Sequence, residues 1–258
     1  ILYNGMDFKV FKSRDLCGKI KTGSFVCDSR GRWYVNFNCK DDTEAYCGHG
    51  EVGIDLGLIT TATTSQGEKL KASRYRKWEK NLAKAQRANK LKLAKKIHAK
   101  IKNSRKDAIE KFTTKIAQEN SLVVIGKIES SKIIKTRLAK STYDNGWHLL
   151  KTRLSHKVVK HGGKYLEVPE NFTSKTCSHC NLGWIFPKGL KSLAVREYKS
   201  PGCGVEQDRD INAARNILRI GCDSLPLQEE SRTKLRKQFR GGRTSTILLS
   251  FFHGPKGA

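Results

Sequence analysis

The sequence predicts an α/β fold in which a mixed sheet is flanked by helices, and three observations lead to it. Residues 52–72 contain three short β-branched segments in succession, each bounded by turn residues. Residues 74–119 contain neither Pro nor Gly and have a helical pattern throughout. Two further strand patterns, 121–128 and 164–168, are separated by a helical apolar stripe over 144–160. The order βββ–α–β–α–β is typical of a layered α/β fold.

The N-terminal part of the chain predicts a β-hairpin over residues 23–39. Its two arms, 24–27 and 33–37, alternate apolar and polar residues, and residues 28–31 supply the turn. Residues 40–50 are rich in Asp, Gly and Cys, and we interpret them as a linker.

Net charge is the strongest functional signal in the composition. The 258 residues include 51 Lys and Arg against 24 Asp and Glu, a formal net charge of +27. Such an excess concentrates phosphate and releases counterions on binding, so nucleic acid is the expected partner. An anionic membrane and a merely solvated basic face are the alternatives, but no apolar run reaches transmembrane length. We expect no membrane partner and a location in the cytoplasm, with the nucleoid.

The positive charge is concentrated in residues 74–119, which hold 16 Lys and Arg against four acids. We predict a long antiparallel helix pair here, with its break near Asn103 and Ser104. Compensating acids are scarce, so a surface that binds a phosphate backbone fits better than a simple solvated face. The candidate nucleic-acid-binding residues are Lys92, Lys95, Lys96, Lys100 and Arg105.

The spacing of the late cysteines indicates a metal site. Cys177 and Cys180 form a Cys-x-x-Cys pair, and Cys203 follows after a long spacer. A structural Zn²⁺ takes four ligands in a tetrahedron. The fourth ligand is expected three residues before Cys203, where this chain has Ser200, whose hydroxyl is a poor zinc ligand. We therefore expect an eroded zinc site, and three free thiols in a loop are the alternative.

Three acids stand at positions where a polar residue destabilises the fold unless it has a function. Asp55 interrupts an apolar strand, Glu129 ends a later buried strand, and Asp210 begins a helical pattern. Phosphodiester hydrolysis by two metal ions needs several carboxylates converging on one point, where they hold Mg²⁺ through oxygen. These three acids are our candidate catalytic residues, with Mg²⁺ as cofactor. Taken singly, Asp55 could simply end a strand, Asp210 could be an ordinary N-cap, and Glu129 could be a solvated loop acid.

Five linked motifs carry a family resemblance. They are Gly53-Ile54-Asp55-Leu56-Gly57, Lys140-Ser141-x-x-Asp144-x-Gly146-Trp147, Thr173-Ser174-Lys175-Thr176-Cys177-Ser178-x-Cys180, Pro187-Lys188-Gly189 and Arg209-Asp210-x-Asn212-Ala213-Ala214-Arg215-Asn216-Ile217-Leu218. Over about residues 20–220 the chain resembles the TnpB (OrfB) proteins of insertion sequences. The resemblance implies an RNase H-like (RuvC-type) nuclease with a zinc-ribbon insert, guided to DNA by a transposon-derived RNA. It also implies that the early hairpin corresponds to the end of that family's wedge domain, with the recognition portion outside this chain.

One departure from the family pattern bears on activity. The resemblance places the second catalytic acid after the buried strand, in a Glu-Asp or Gly-Asp pair, where this chain has Gly126-Lys127. Glu129 is two residues further on, displaced by about 6.6 Å along a strand, and an ammonium group from Lys127 would repel Mg²⁺. We therefore expect impaired cleavage. The alternatives are a nuclease-deficient RNA-guided DNA-binding protein or decayed transposon fragment, and a generic basic RNA-binding protein.

The expected domain organisation follows from these segments. Residues 1–50 form a wedge-like β region and linker, and 51–172 the first part of the nuclease domain with the basic helix pair. Residues 173–206 form the zinc-ribbon-like insert, and 207–221 the last nuclease segment, whose helix we expect to end at Gly221. Residues 222–258 form a weakly ordered basic tail. This arrangement predicts Asp55 and Asp210 side by side.

Overall fold

The computed structural model describes residues 2–3, 5–11, 15–16, 18–40, 46–128, 130–182 and 196–239. Its elements in chain order are β1 (Leu2–Tyr3), β2 (Met6–Asp7), β3 (Lys19–Cys27), β4 (Trp33–Lys40), β5 (Gly50–Leu56), β6 (Ala62–Thr64), β7 (Lys69–Leu70), α1 (Tyr75–Arg87), α2 (Leu91–Glu119), β8 (Asn120–Lys127), α3 (Ser130–Ile134), α4 (Ala139–Asn145), α5 (Trp147–Lys160), β9 (Lys164–Pro169), β10 (Glu197–Lys199), β11 (Glu206–Asp208) and α6 (Arg209–Phe239). The predicted hairpin is confirmed as β3 paired antiparallel with β4.

A five-stranded mixed sheet lies at the centre of the fold, in the order β7-β6-β5-β8-β9. The strands β5, β6 and β7 pair antiparallel, whereas β8 pairs parallel with β5, and β9 pairs parallel with β8. Parallel strands need cover on both faces, and β5 and β8 are accordingly buried along most of their length. The predicted α/β fold with a mixed sheet and flanking helices is thus confirmed.

Different helices cover the two faces of the sheet. On one face, α2 and α5 pack against a core whose members from β5 and β8 are Val52, Ile54, Leu56, Val123 and Ile125. On the other face, Ile217 of α6 packs against Leu122 and Val124. Because side chains alternate along a strand, even-numbered positions of β8 point toward α6, and so do odd-numbered positions of β5.

Two glycines let α6 lie close to this sheet. A Cβ on Gly53 of β5 would overlap the backbone of Ala214, and a Cβ on Gly221 would overlap the side chain of Val124. Gly221 therefore serves a contact between helix and sheet, and α6 runs through it to Phe239. The prediction that the helix ends at Gly221 is wrong for this reason, and residues 222–239 of the predicted tail continue α6.

The basic segment forms two helices, as predicted, but the break lies elsewhere. Helix α1 ends at Arg87 and α2 begins at Leu91, so the predicted break near residues 103–104 falls inside an unbroken helix. Between them Asn89 adopts a left-handed φ of 49°, which Asn tolerates better than most residues. The two helices pack through a small core formed by Leu82, Ala85, Ala94, Ile97 and Ile101.

The predicted helix over 144–160 is divided at Gly146. This glycine has a left-handed φ of 68°, so α4 ends before it and α5 begins at Trp147. The predicted apolar stripe is confirmed, since α5 buries Trp147, Leu150, Leu154 and Val158. Among the helices of the described ranges, none combines the length and apolar character that crossing a membrane requires.

Candidate active site

Asp55 lies near the end of β5, on the face of the sheet that α6 covers. Its neighbours Ile54 and Leu56 are buried, whereas Asp55 itself is half-buried. Burial raises the pKa of Asp55 well above its usual value, and the charges of Glu170 and Asp210 raise it further. A carboxyl group perturbed in this way at a cavity is typical of a functional site.

Asp210 lies in the first turn of α6 but does not cap it. The carboxylate of Asp208 accepts hydrogen bonds from the backbone N–H groups of Asp210 (2.8 Å) and Ile211 (3.2 Å), as an N-cap does. Asp208 also pairs with Lys69 at 2.6 Å. The carboxylate of Asp210 instead accepts two contacts from Nη1 of Arg196, at 2.7 and 2.9 Å. The alternative that Asp210 is an ordinary N-cap is therefore excluded.

A further acid at this place is Glu170, which the sequence analysis missed. It directly follows β9, and parallel pairing brings the ends of β5, β8 and β9 to one edge of the sheet. Its Oε1 is buried and has no hydrogen-bond partner within the described ranges. Burial raises the pKa of Glu170 to about 6, against the opposing charge of Lys151. The sequence shows only that Glu170 follows a predicted strand, and the pairing of that strand with β8, which brings Glu170 to the cavity, is visible only in the fold.

Asp55, Glu170 and Asp210 line one cavity of about 670 Å³. The cationic side chains that line the same cavity are Arg76, Lys140, Arg196 and Arg209. Carboxylates that can hold divalent cations and cations that can meet phosphate oxygens therefore face one space.

The carboxylates fit a site for hard divalent cations. Mg²⁺ takes oxygen ligands and is usually held by one or two carboxylates together with water and substrate phosphates. In the part of the chain that the structure describes, only a cysteine cluster brings three or more metal-ligand side chains within 4.8 Å of one another. The carboxylates are therefore spaced more widely, as expected for two ions about 4 Å apart.

Two sequence predictions concern the end of β8. Glu129 lies outside the described residues, as does the motif at 187–189, so the role of Glu129 stays a prediction. Lys127 is exposed at the last position of β8 and is not among the residues that line the cavity. As an odd-numbered residue of β8 it points away from α6 and from Asp55. Lys127 is therefore not placed at the cavity, and the effect of its ammonium group on the metal site stays a prediction.

Cys177, Cys180 and Cys203 form a second group, called here the thiol cluster. Their Sγ atoms all lie within 4.8 Å of one another, and those of Cys177 and Cys203 are 3.8 Å apart. Tetrahedral Zn²⁺ with Zn–S bonds of about 2.3 Å has S–S edges of about 3.8 Å. The buried Ser200 places its Oγ 3.6 Å from Sγ of Cys180, so this serine lies beside the cluster, where the fourth ligand was expected. The cluster therefore fits a metal ion with three thiolates.

Hydrogen bonds prepare one of these thiols for metal binding. Burial tends to raise the pKa of Cys177, but hydrogen bonds from the backbone N–H of Cys180 and the hydroxyl of Ser200 outweigh it and lower the pKa to about 6. The thiolate is the form that binds metal.

Two buried asparagines of α6 connect the thiol cluster to the helix that carries Asp210. The side-chain amides of Asn212 and Asn216 donate to the carbonyl oxygens of Thr173 and Thr176 at 2.7–3.3 Å. Oδ1 of Asn212 also accepts the backbone N–H of Ser178 at 2.7 Å. These asparagines of the Arg-Asp-x-Asn motif therefore have a structural role that sequence reasoning missed.

The candidate nucleic-acid-binding residues lie on α2 in two different environments. The exposed ones are Lys92, Lys95, Lys96 and Lys100. Arg105 is half-buried, and its Nη1 donates to Oδ1 of Asp144 at 3.1 Å, while Oδ2 of Asp144 accepts the backbone N–H of Tyr75 at 2.8 Å. Arg105 thus helps to fix the start of α1 to α4, and its part in nucleic-acid binding stays a prediction.

Comparison with known proteins agrees with these features. Residues 147–217 match a family model described as "Cas12f1-like, TNB domain", and residues 37–137 match one for OrfB described as "Probable transposase". A Streptomyces pristinaespiralis protein whose name describes an RNA-guided DNA endonuclease is 34% identical over 84% of this chain and 57% of its own length. A TnpB-like protein of Acanthamoeba polyphaga mimivirus is 24% identical over 83% of this chain and 39% of its own.

A structural match agrees with the fold. A chain of a CRISPR-Cas12f ternary complex solved by cryo-EM matches with a TM-score of 0.50 and 21% identity, over 77% of this chain and 44% of that one. The Escherichia coli relative InsQ is 27% identical over 81% of this chain, which spans a little over half the length of this relative and of the Streptomyces protein. The linked motifs, the two family models and these relatives together show that the chain belongs to the TnpB (OrfB) family of transposon-encoded proteins.

Proposed function

We propose that this chain forms the DNA-cleaving part of an RNA-guided DNA endonuclease of transposon origin. The observation that carries the proposal is the cavity that Asp55 of β5 and Asp210 of α6 line together. The names of the Streptomyces and Escherichia coli relatives describe RNA-guided DNA endonucleases, which supports a guide RNA and a DNA target as partners.

The sheet supports an RNase H-like (RuvC-type) nuclease fold. Three antiparallel strands are continued by two parallel ones, in the order β7-β6-β5-β8-β9, and α6 packs across β5 and β8. In this proposal, residues 51–172 and 207–221 form the nuclease domain, and residues 1–50 with the β3–β4 hairpin form a wedge-like region.

The chemistry follows from the donor set at the cavity. In the proposed reaction a water molecule gives up a proton as its oxygen bonds to phosphorus, the P–O bond to the departing nucleotide oxygen breaks, and that oxygen takes up a proton. Asp55 and Asp210 would hold Mg²⁺, which would supply an activated water and offset the charge of the departing oxygen. Arg76 and Arg209 line the cavity and supply positive charge toward substrate phosphates. Lys127 points elsewhere, so we propose an active centre in place of the impaired one that the sequence led us to expect.

The α2 surface supplies the sequence-independent part of nucleic-acid binding in this proposal. Changing Lys92, Lys95, Lys96 and Lys100 to Glu should flatten the log–log dependence of affinity on salt by up to about 3–4 units, about 0.9 for each phosphate group that the surface no longer neutralises. The same four lysines changed to Arg keep their charge and serve as the matched control. An unchanged slope in the Glu variant would place the nucleic-acid-binding surface elsewhere.

The thiol cluster supports a structural Zn²⁺ in a zinc-ribbon-like insert over residues 173–206. Three thiolates supply three corners of the tetrahedron, with Ser200 beside the fourth. In this proposal the cluster stabilises the segment that the asparagines of α6 hold, and it takes no part in cleavage.

Cleavage assays test the proposed function. The protein loaded with RNA from the end of its own element should cut matched DNA in Mg²⁺ and not in EDTA. Asp55→Asn and Asp210→Asn should each lower the rate about 100-fold or more, since even residues that only support metal ligands change activity about 10- to 100-fold. Asp107→Asn alters an exposed acid of α2 and should leave the rate unchanged.

Two other results would favour the alternatives. Guide-dependent DNA binding without cleavage would indicate a nuclease-deficient DNA-binding protein. RNA binding without any guide-dependent DNA binding would indicate a generic basic RNA-binding protein.

A further inference from the structure

We propose that Glu170 is the third metal-holding carboxylate of this centre, and that it occupies space left open by the missing side chain of Gly126. This inference rests on the proposed function and adds one ligand to its metal site. It concerns a residue at the end of β9, whereas the sequence led us to look for the acid after β8.

Gly126 and Glu170 compete for one volume. A Cβ on Gly126 would overlap Oε1 and Cγ of Glu170 and would lie 2.7 Å from its Cδ. Gly126 pairs with Val168, two residues before Glu170, which explains how the carboxyl group reaches across from the neighbouring strand. A side chain at position 126 would displace that carboxyl group, so the glycine and the glutamate form a matched pair.

The alternation of side chains places this volume on the functional face of the sheet. Gly126 occupies an even-numbered position of β8, which points toward α6, and Asp55 points to the same face from β5. Glu170 accordingly lines the same cavity as Asp55 and Asp210. A carboxyl group here reaches the space in which an acid at position 126 would have stood.

The surroundings of Glu170 would destabilise the fold if this acid served only packing. Its Oε1 is buried, and no hydrogen-bond donor of the described ranges reaches it. Its charge acts unfavourably on Asp55, ahead of the charge of Asp210. A buried carboxylate oxygen without a donor is destabilising unless a cation meets it. The arrangement is therefore explained by a cation that Glu170 and Asp55 hold together.

Binding of Mn²⁺ alone, followed by electron paramagnetic resonance, tests this inference on the 258-residue chain. Mn²⁺ prefers oxygen ligands, so the thiol cluster competes little for it. Glu170→Gln should weaken Mn²⁺ binding on the order of tenfold or more. Glu167→Gln is the matched control: it alters a nearby glutamate of β9, whose carboxylate accepts hydrogen bonds from Lys151 and Tyr165, and it should keep the parent affinity.

Thermal unfolding separates a ligand from a structural residue. Without metal, Glu170→Gln should raise Tm by about 2–4 °C, because it removes a buried charge that faces Asp55. Adding Mn²⁺ should raise the Tm of the parent, and this rise should be largely lost in Glu170→Gln. A glutamate that stabilises the fold by packing would give the opposite sign in the metal-free protein.

Variants at position 126 test the competition for space. Gly126→Ala keeps every carboxylate of the chain, yet its methyl group would overlap the carboxyl group of Glu170. Mn²⁺ binding should therefore weaken as in Glu170→Gln. In the background of Glu170→Ala, which frees the volume, Gly126→Glu should restore much of the Mn²⁺ affinity from β8.

The outcomes separate this inference from the proposed function. Loss of Mn²⁺ binding in Asp55→Asn and Asp210→Asn, with parent-like binding in Glu170→Gln, would overturn the inference and leave the nuclease centre standing. Loss in Glu129→Gln alone would make Glu129 the third ligand and would likewise overturn it. Parent-like Mn²⁺ binding in both Asp variants would overturn the proposed function as well.

Discussion

The thiol cluster and the carboxylate centre are both candidate metal sites, yet they are built in different ways. The thiol cluster brings three sulfur atoms within 4.8 Å of one another, two of them from a single Cys-x-x-Cys turn. The carboxylate centre draws Asp55, Glu170 and Asp210 from the ends of two strands and the start of a helix, around a cavity of about 670 Å³. Its acids are more widely spaced, and they are accompanied by cationic side chains.

This difference reflects what each site does with its metal. A structural zinc site closes all four positions with protein ligands, and its ion contributes directly to folding. A hydrolytic centre must keep positions open for water and for phosphate oxygens, so its protein ligands cannot surround the ion. At the carboxylate centre, burial first and then the charges of Glu170 and Asp210 raise the pKa of Asp55.

The largest expected effects come from removing one ligand of each site in turn. Cys177→Ser should abolish zinc binding at the thiol cluster and lower the Tm of the zinc-loaded protein by about 4–8 °C, if about 2 kcal/mol of metal-linked stability is removed. It should leave Mn²⁺ affinity nearly unchanged. Asp55→Asn should instead lower the Mn²⁺ affinity and leave zinc binding nearly unchanged. Zinc analysis, thermal unfolding and Mn²⁺ titration check both variants. Loss of both metals in either variant would show that the two sites are not independent.

The two sites also differ in how far the sequence reveals them. The spacing of Cys177, Cys180 and Cys203 identified the thiol cluster, because a local turn fixes the geometry of a Cys-x-x-Cys pair. Asp55 could be named because it interrupts an apolar strand, and Asp210 because it begins a helical pattern. Glu170 was missed because its position depends on the pairing of β8 with β9 and on the missing side chain of Gly126. Such a relation between neighbouring strands leaves no mark in the spacing of residues along the chain.

The secondary structure also divides into features that local sequence patterns reveal and features that depend on the folded chain. Sequence patterns predicted the strands β5, β8 and β9, the buried stripe of α5 and the β3–β4 hairpin. They misplaced the break between α1 and α2, since left-handed Asn89 carries no Gly or Pro signal. They also took Gly221 for a helix stop, because its contact with Val124 exists only in the folded sheet.

A smaller effect is expected at the fourth corner of the thiol cluster. Ser200→Cys should raise the zinc retained after dialysis against a chelator and should raise Tm, because a fourth thiolate completes the tetrahedron. Ser200→Ala is the matched control and should retain no more zinc than the parent. A parent chain that already keeps one zinc through the same dialysis, with no gain from the cysteine, would show that another group serves as fourth ligand.

The smallest effect is expected from Arg196, which binds the carboxylate of Asp210 through Nη1. Arg196→Ala should tighten Mn²⁺ binding about two- to fivefold, because a partly exposed ion pair of about 0.2–1 kcal/mol no longer competes for the carboxylate. Arg196→Lys retains the charge and should stay near the parent value. Weaker Mn²⁺ binding in the alanine variant would mean that Arg196 positions Asp210 for the metal.

Anomalous diffraction from crystals soaked in MnCl₂ tests the central claim most directly. We expect manganese peaks in the cavity, within about 2.0–2.6 Å of carboxylate oxygens of both Asp55 and Asp210, and no manganese peak at the thiol cluster. Manganese bound outside this cavity, or held there by neither aspartate, would contradict the account.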